Sequence, residues 1–202
     1  FVNAVLRSVL RECDSISIGE LAKSEAEEIS FIYNQPLWLV NLWMNEIGKD
    51  KTVDLCAWFN EQPRLTARIN TVKVSIEDCI KELQNLGWTI EQDKDIPEVV
   101  YIDSHQGHLE KAKPVIEGHI TFMDKASMLV AHVVDPQPGE RILDCCAAPG
   151  GKSMHMASLM NNTGAIMSCD IYDHKLDLMN QNAERLGVSI VSTKLQDGRS
   201  LP

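Results

Sequence analysis

From residue 124 onward, short apolar runs alternate with amphipathic stretches in a fixed order, and that order leaves few folds open. A helical pattern over residues 125–134 leads through Pro136-Gln137-Pro138-Gly139 into an apolar run over 141–145. A glycine-rich loop then opens a second helical pattern. Residues 165–169 read as the next strand, 173–186 as a helix stopped by Gly187, and 189–195 as a third strand. Strands and helices of these lengths in strict alternation predict an α/β fold with a doubly wound parallel sheet and right-handed crossovers.

The preceding sequence has a different period. Leu65, Ala67 and Ile69 alternate with Thr66, Arg68 and Asn70, the pattern of a half-buried strand. Ser75 followed by Asp78 resembles a capping box, and Ile76, Cys79, Ile80, Leu83 and Leu86 mark an amphipathic helix ended by Gly87. With a second strand over 99–102, residues 63–122 are expected to form a small α+β module. Further upstream, Asn34 and Pro36 start a helix that Gly48 stops, and Trp38 and Trp43 are expected to pack against neighbouring helices. The apolar spacing of Phe1, Val2, Val5, Leu6, Val9 and Leu10 predicts a helix, and residues 14–30 read as a linker with some helix. The expected division is therefore 1–30, 31–62, 63–122 and 123–202.

Composition narrows the class of partner. The 202 residues are 44% hydrophobic and carry a net charge of −10, which argues against a surface that clamps a phosphate backbone all round. A local patch can still bind RNA. No apolar run approaches the roughly 18 residues of a membrane-spanning helix, so a cytoplasmic protein is expected. The cysteines Cys13, Cys56, Cys79, Cys145, Cys146 and Cys169 show no CxxC spacing and no clustering with histidine, so neither a metal site nor a disulfide framework is expected.

The segment Ile142-Leu143-Asp144-Cys145-Cys146-Ala147-Ala148-Pro149-Gly150-Gly151-Lys152 concentrates the chemical information. A strand runs into small residues and two glycines, which let the backbone approach a ligand closely at the carboxyl end of a sheet. Asp170 closes the next strand at the interval where nucleotide-binding folds place an acid on ribose hydroxyls, and Asp197 closes the third. The dinucleotide pattern G-x-G-x-x-G is absent, and Cys146 stands where a phosphate-binding P-loop needs its first glycine. S-adenosyl-L-methionine remains as the best candidate ligand.

These residues also resemble a known family. Cys145 through Lys152 looks like the methionine-side motif of RNA 5-methylcytosine methyltransferases, and Met123-Asp124-Lys125-Ala126-Ser127 resembles the Gln-Asp-x-Ala-Ser group that precedes it, with Met123 in place of Gln. Arg68-Ile69-Asn70-Thr71 matches the Arg-x-Asn-Thr strand of the family's RRM-like subdomain. Phe1 through Arg7 resembles the last helix of the NusB-like domain found in the bacterial Sun/RsmB branch, whose members methylate ribosomal RNA at cytosine carbon 5. The resemblance implies a Rossmann-like class I methyltransferase sheet, truncated here, preceded by the RRM-like module and the end of a NusB-like domain. It implies that Cys146, Ala147, Ala148, Pro149, Gly150, Gly151 and Lys152 hold the methionine part of S-adenosyl-L-methionine, that Asp170 holds its ribose, and that Asp197 lies beside its adenine. Strand alternation turns Arg68 and Asn70 away from the core, which makes them candidates to touch RNA or, equally, to join the small module to the main domain.

The family's Asp-Ala-Pro-Cys and Thr-Cys motifs have no counterpart, since no Pro-Cys or Thr-Cys pair occurs in the chain. Enzymes of this kind add a cysteine thiolate to carbon 6 of cytosine, which makes carbon 5 nucleophilic enough to take the methyl group. Cys145 and Cys146 are expected to lie hidden beneath the loop as structural thiols, so the nucleophile is expected beyond Pro202 and this chain is expected to be inactive alone. Two other readings stand: a methyltransferase for transfer or other RNA, and a non-catalytic RNA-binding or assembly module that retains the cofactor fold.

Overall fold

A computed structural model describes residues 2–12 and 21–200. Phe1, Cys13 and most of the first half of the expected linker lie outside the described residues. The chain divides into two compact units, Phe1–Pro63 and Arg64–Pro202.

The first unit is helical. Helix α1 spans Val2–Glu12 and exposes Val2, Val5, Leu6 and Val9. Helix α2 (Glu25–Tyr33) forms where a linker with some helix was expected, because Ser24 caps it by accepting from the Glu27 amide at 3.2 Å. Pro36 and Gly48 bound α3 (Leu37–Ile47), and α4 (Lys49–Phe59) follows directly. Ala26, Ile29, Val40 and Cys56 form the small core. Trp43 stacks on Phe59 at 5.6 Å between ring centroids. Trp38, expected to pack, is instead 68% exposed. It lies two residues before Val40, on the opposite side of the helix from Val40, Trp43 and Met44.

The second unit joins two sheets. Strands β1 (Leu65–Ile69), β2 (Thr89–Gln92), β3 (Val99–Ser104) and β4 (Ile120–Phe122) form an antiparallel sheet in the order β2-β3-β1-β4. Helix α5 (Ile76–Asn85) covers one face, burying Cys79 and Leu83 against Ala67, Ile69, Val100, Ile102 and Ile120. Ser75 caps it through the Asp78 amide. β2 and β4 carry no sequence signal: the first is nearly all polar and the second is three residues long. A short helix α6 (Lys113–Ile116) precedes β4.

The remaining elements are α7 (Lys125–Val134), β5 (Arg141–Asp144), α8 (Gly151–Leu159), β6 (Ala165–Asp170), α9 (Asp173–Leu186) and β7 (Val191–Leu195). β5, β6 and β7 lie parallel in that order. Ile166 on one face packs against Met154, Met156, Ala157 and Met160 of α8 and its cap and against Ala183 and Leu186 of α9. The doubly wound expectation is met on one face only among the described residues: Leu143 and Met167 on the other face are 48% and 38% exposed.

Candidate functional site

The three parallel strands end together, and their carboxyl ends build an open crevice. It has a volume of about 670 Å³ and is lined by Cys145, Cys146, Asp170, Ile171, Tyr172, Lys175, Asp197, Gly198 and Arg199. Of the expected cofactor residues, Cys146, Asp170 and Asp197 therefore share one wall.

Ala147, Ala148, Pro149, Gly150, Gly151 and Lys152 form the loop behind that wall. The loop is tied to β6 through its first two residues. The Ala147 amide donates to the Cys169 carbonyl at 2.9 Å, and the Ala148 amide donates to Asp170 Oδ2 at 3.3 Å. Gly150 has φ +98°, a conformation that favours glycine, and a Cβ there would also press on the Met179 side chain at 3.2 Å from Cγ. Helix α8 starts at Gly151 with no side-chain cap, which leaves its first amides suited to an anionic group such as a carboxylate. Lys152 is exposed on its first turn.

Asp170 is 9% exposed, and its second oxygen accepts the Tyr172 amide at 3.2 Å. Asp197 is gripped by Arg199, whose Nη2 lies 2.7 Å from Oδ2 and whose Nε lies 3.0 Å from Oδ1. That guanidinium holds the Asp197 carboxyl below the usual carboxylate range. Asp144 was missed by the sequence reading. Its Oδ2 accepts from Ser153 Oγ at 2.7 Å, its Oδ1 accepts from the Cys146 amide at 3.3 Å, and Ser168 Oγ donates to Ser153 at 2.9 Å. The only hint was an acid at the end of an apolar strand.

The thiols are not both hidden. Cys145 is half-buried and Cys146 is exposed at the crevice, because β5 ends at Asp144 and the chain turns outward there. Burial pushes the Cys169 thiol up.

Arg68 and Asn70 do not face solvent. Both are fully buried, because the second face of the antiparallel sheet packs on the main domain rather than on water. Asn70 Nδ2 donates to the Gly118 and Leu186 carbonyls, each at 2.8 Å, and its Oδ1 accepts from Ser158 Oγ at 3.2 Å. Arg68 Nη1 reaches Ser158 Oγ at 3.4 Å. Burial, reinforced by Arg185 and opposed by Glu98, pulls Arg68 down to about 10. Arg185 of α9 adds a further tie, donating to the Val115 carbonyl at 2.8 Å.

Glu98, His132 and His155 were also unforeseen, being scattered in sequence. Their ligand-type atoms lie within 4.8 Å of one another, as do those of Glu82, Glu117 and His119. In the first group both imidazoles already bond the same carboxylate oxygen, and the Arg68 charge acts on His155 and Glu98. A bound cation would face that guanidinium.

A crevice at the ends of three parallel strands, with a glycine-rich loop on the first and acids after the second and third, defines a Rossmann-like fold of the class I methyltransferase type. Known proteins agree with this reading. The model described as 16S rRNA methyltransferase RsmB/F matches residues 131–202, and the ferredoxin-like domain model of RsmF/B-like methyltransferases matches residues 35–107. A probable ribosomal RNA small subunit methyltransferase B of Bacillus subtilis is 32% identical over 199 residues, covering 98% of this chain and 44% of that protein. The crystal structure of PH0851 superposes with a TM-score of 0.82 at 31% identity, covering 89% of this chain and 40% of that one. NSun6 from Pyrococcus horikoshii, solved with SFG, shares the fold at a TM-score of 0.72 and 20% identity, over 78% of this chain and 64% of that one. The chain belongs to the Sun/RsmB methyltransferase family. It spans less than half the length of the Bacillus subtilis relative.

Proposed function

We propose that this chain carries the S-adenosyl-L-methionine site of an RNA cytosine-5 methyltransferase that acts on small-subunit ribosomal RNA in the cytoplasm. The observation that carries the reading is the shared crevice: the loop over residues 146–152, Asp170 and Asp197 meet at the ends of β5, β6 and β7. In this assignment the open amides at the start of α8 take the cofactor carboxylate. Asp170 accepts from the ribose hydroxyls, and Asp197 lies beside the adenine. The bound cofactor supplies an electrophilic methyl group; the chain's own residues bind and orient it. The rRNA assignment draws on the printed name of the Bacillus subtilis relative. The cofactor assignment also draws on the SFG in the NSun6 structure.

Among the described residues, no helix is long and apolar enough to cross a membrane. Methyl transfer needs the thiolate adduct at carbon 6, and the exposed Cys146 thiol is no substitute in this assignment, because it belongs to the loop that lines the crevice assigned to the cofactor. Calorimetric titration with S-adenosylmethionine, ATP and NAD tests the proposal. Binding of the first alone supports it, and a preference for either nucleotide overturns it. Incubated with labelled cofactor and unmodified ribosomal RNA, the 202-residue chain itself should transfer no methyl group.

A further inference from the structure

Outside the crevice, one carboxylate ties the ferredoxin-like module to two helices of the main domain. Glu98 precedes β3, and its Oε1 accepts from His132 Nε2 of α7 at 2.6 Å and from His155 Nε2 of α8 at 2.9 Å. His155 lies one helical turn beyond Gly151, where the cofactor loop ends, and Ser153 on that same turn holds Asp144. Glu98 thus adds to the Ser153 and Ser158 bonds that seat α8, and with it the loop.

The buried charges at this point leave no room for a positive His155 ring. His155 is fully buried and Glu98 nearly so. Arg68 of β1 brings a buried guanidinium whose Nε and Nη2 have no hydrogen-bond partner among the described residues, and His155 Nδ1 has none among them either. Arg185 of α9 adds a second positive charge acting on Arg68. One carboxylate offsets the Arg68 guanidinium, so a proton added to the fully buried His155 imidazole is an uncompensated interior charge. Burial lowers His155 from its ordinary 6.5; the Glu98 hydrogen bond opposes this, and Arg68 and His132 reinforce it.

We propose that His155 is a positioning residue for the cofactor loop: its neutral ring, held by Glu98, seats α8 against the ferredoxin-like module, and protonation releases the helix. The proposal rests on the reading of the crevice as an S-adenosylmethionine site. It is tested on the intact protein by amide exchange of residues 153–158 and by the affinity for S-adenosylhomocysteine, each followed from about pH 8 to about pH 5.5. Exchange of these amides should quicken as pH falls, after correction for intrinsic rates, and affinity should drop by up to about tenfold per pH unit, the limit for one coupled proton. In His155→Gln the side chain still donates to Glu98 but cannot gain a proton, so the affinity ratio between the two pH extremes should collapse towards about one. Protection of α8 that stays flat with pH in the unaltered protein overturns the proposal without recourse to any variant. So does a wild-type pH dependence that persists in His155→Gln, or a stoichiometric divalent metal bound at Glu98, His132 and His155. Absence of S-adenosylhomocysteine binding at every pH, with α8 still opening on acidification, overturns the cofactor reading and the link to the loop together.

Discussion

Replacing Asn70 by alanine separates a structural clamp from an RNA contact. Its amide nitrogen donates to two buried carbonyls at 2.8 Å, one on Gly118 in the loop before β4 and one on Leu186 at the end of α9. Its oxygen accepts from Ser158 at 3.2 Å. Truncation leaves both carbonyls without this donor, and an orphaned buried group costs about 1–3 kcal/mol, less where a carbonyl keeps a second partner. A total loss of about 2–4 kcal/mol follows, a large share of the roughly 5–15 kcal/mol that stabilises a typical domain. For a chain of this size that corresponds to a Tm lowered by about 5–12 °C. Thermal unfolding followed by circular dichroism, paired with an RNA-binding titration well below the new Tm, reads both roles. Lower Tm with unaltered RNA affinity is the expected result. An unaltered Tm accompanied by weakened RNA binding would refute the clamp.

Asp170→Ala should weaken S-adenosylhomocysteine binding by about 1–3 kcal/mol through loss of charge-assisted hydrogen bonds; equal calorimetric affinities for the two proteins would remove Asp170 from the site. Gly118→Ala should destabilise the second unit strongly, because at φ +73° its Cβ collides with the Arg185 carbonyl; a urea midpoint within error of the unaltered protein would contradict the packing. Acid should destabilise in two steps. His155 is depressed below 6.5 in the fold, so its contribution is present above that pH and fades as pH falls. Burial raises the Glu98 carboxyl, but hydrogen bonds from His155, its own backbone and His132 outweigh that and hold it at about 2, so its contribution fades between its ordinary 4.5 and that value. Urea midpoints measured across this range should decline, and Glu98→Gln should flatten the lower part; midpoints level with pH in the unaltered protein would disprove both.

Much of the crevice wall was legible in one dimension because it is built from chain-local features. A strand must stop before its loop can turn, glycine must stand where φ is +98° and Met179 presses close, and an acid after each strand follows the repeat of the α/β units. Capping chemistry was legible for the same reason: Ser75 and Asp78 lie within one turn of each other. The strands β2 and β4 were not, since a polar four-residue and an apolar three-residue segment acquire strand character only from the neighbours they pair with.

What the sequence by itself determined is the order of strands and helices from residue 124 onward, with the loop at residues 146–152 and the acids Asp170 and Asp197 at strand ends. Which face of the small sheet meets water was decided only by tertiary structure. Alternation correctly placed Arg68 and Asn70 on the face opposite Ala67 and Ile69, but a period of two cannot say whether that second face is wet. The main domain covers it, turning two apparent surface residues into buried fasteners. Glu98, His132 and His155 met for the same reason: three isolated polar residues on three elements share one oxygen only after two modules dock, and no local spacing encodes that.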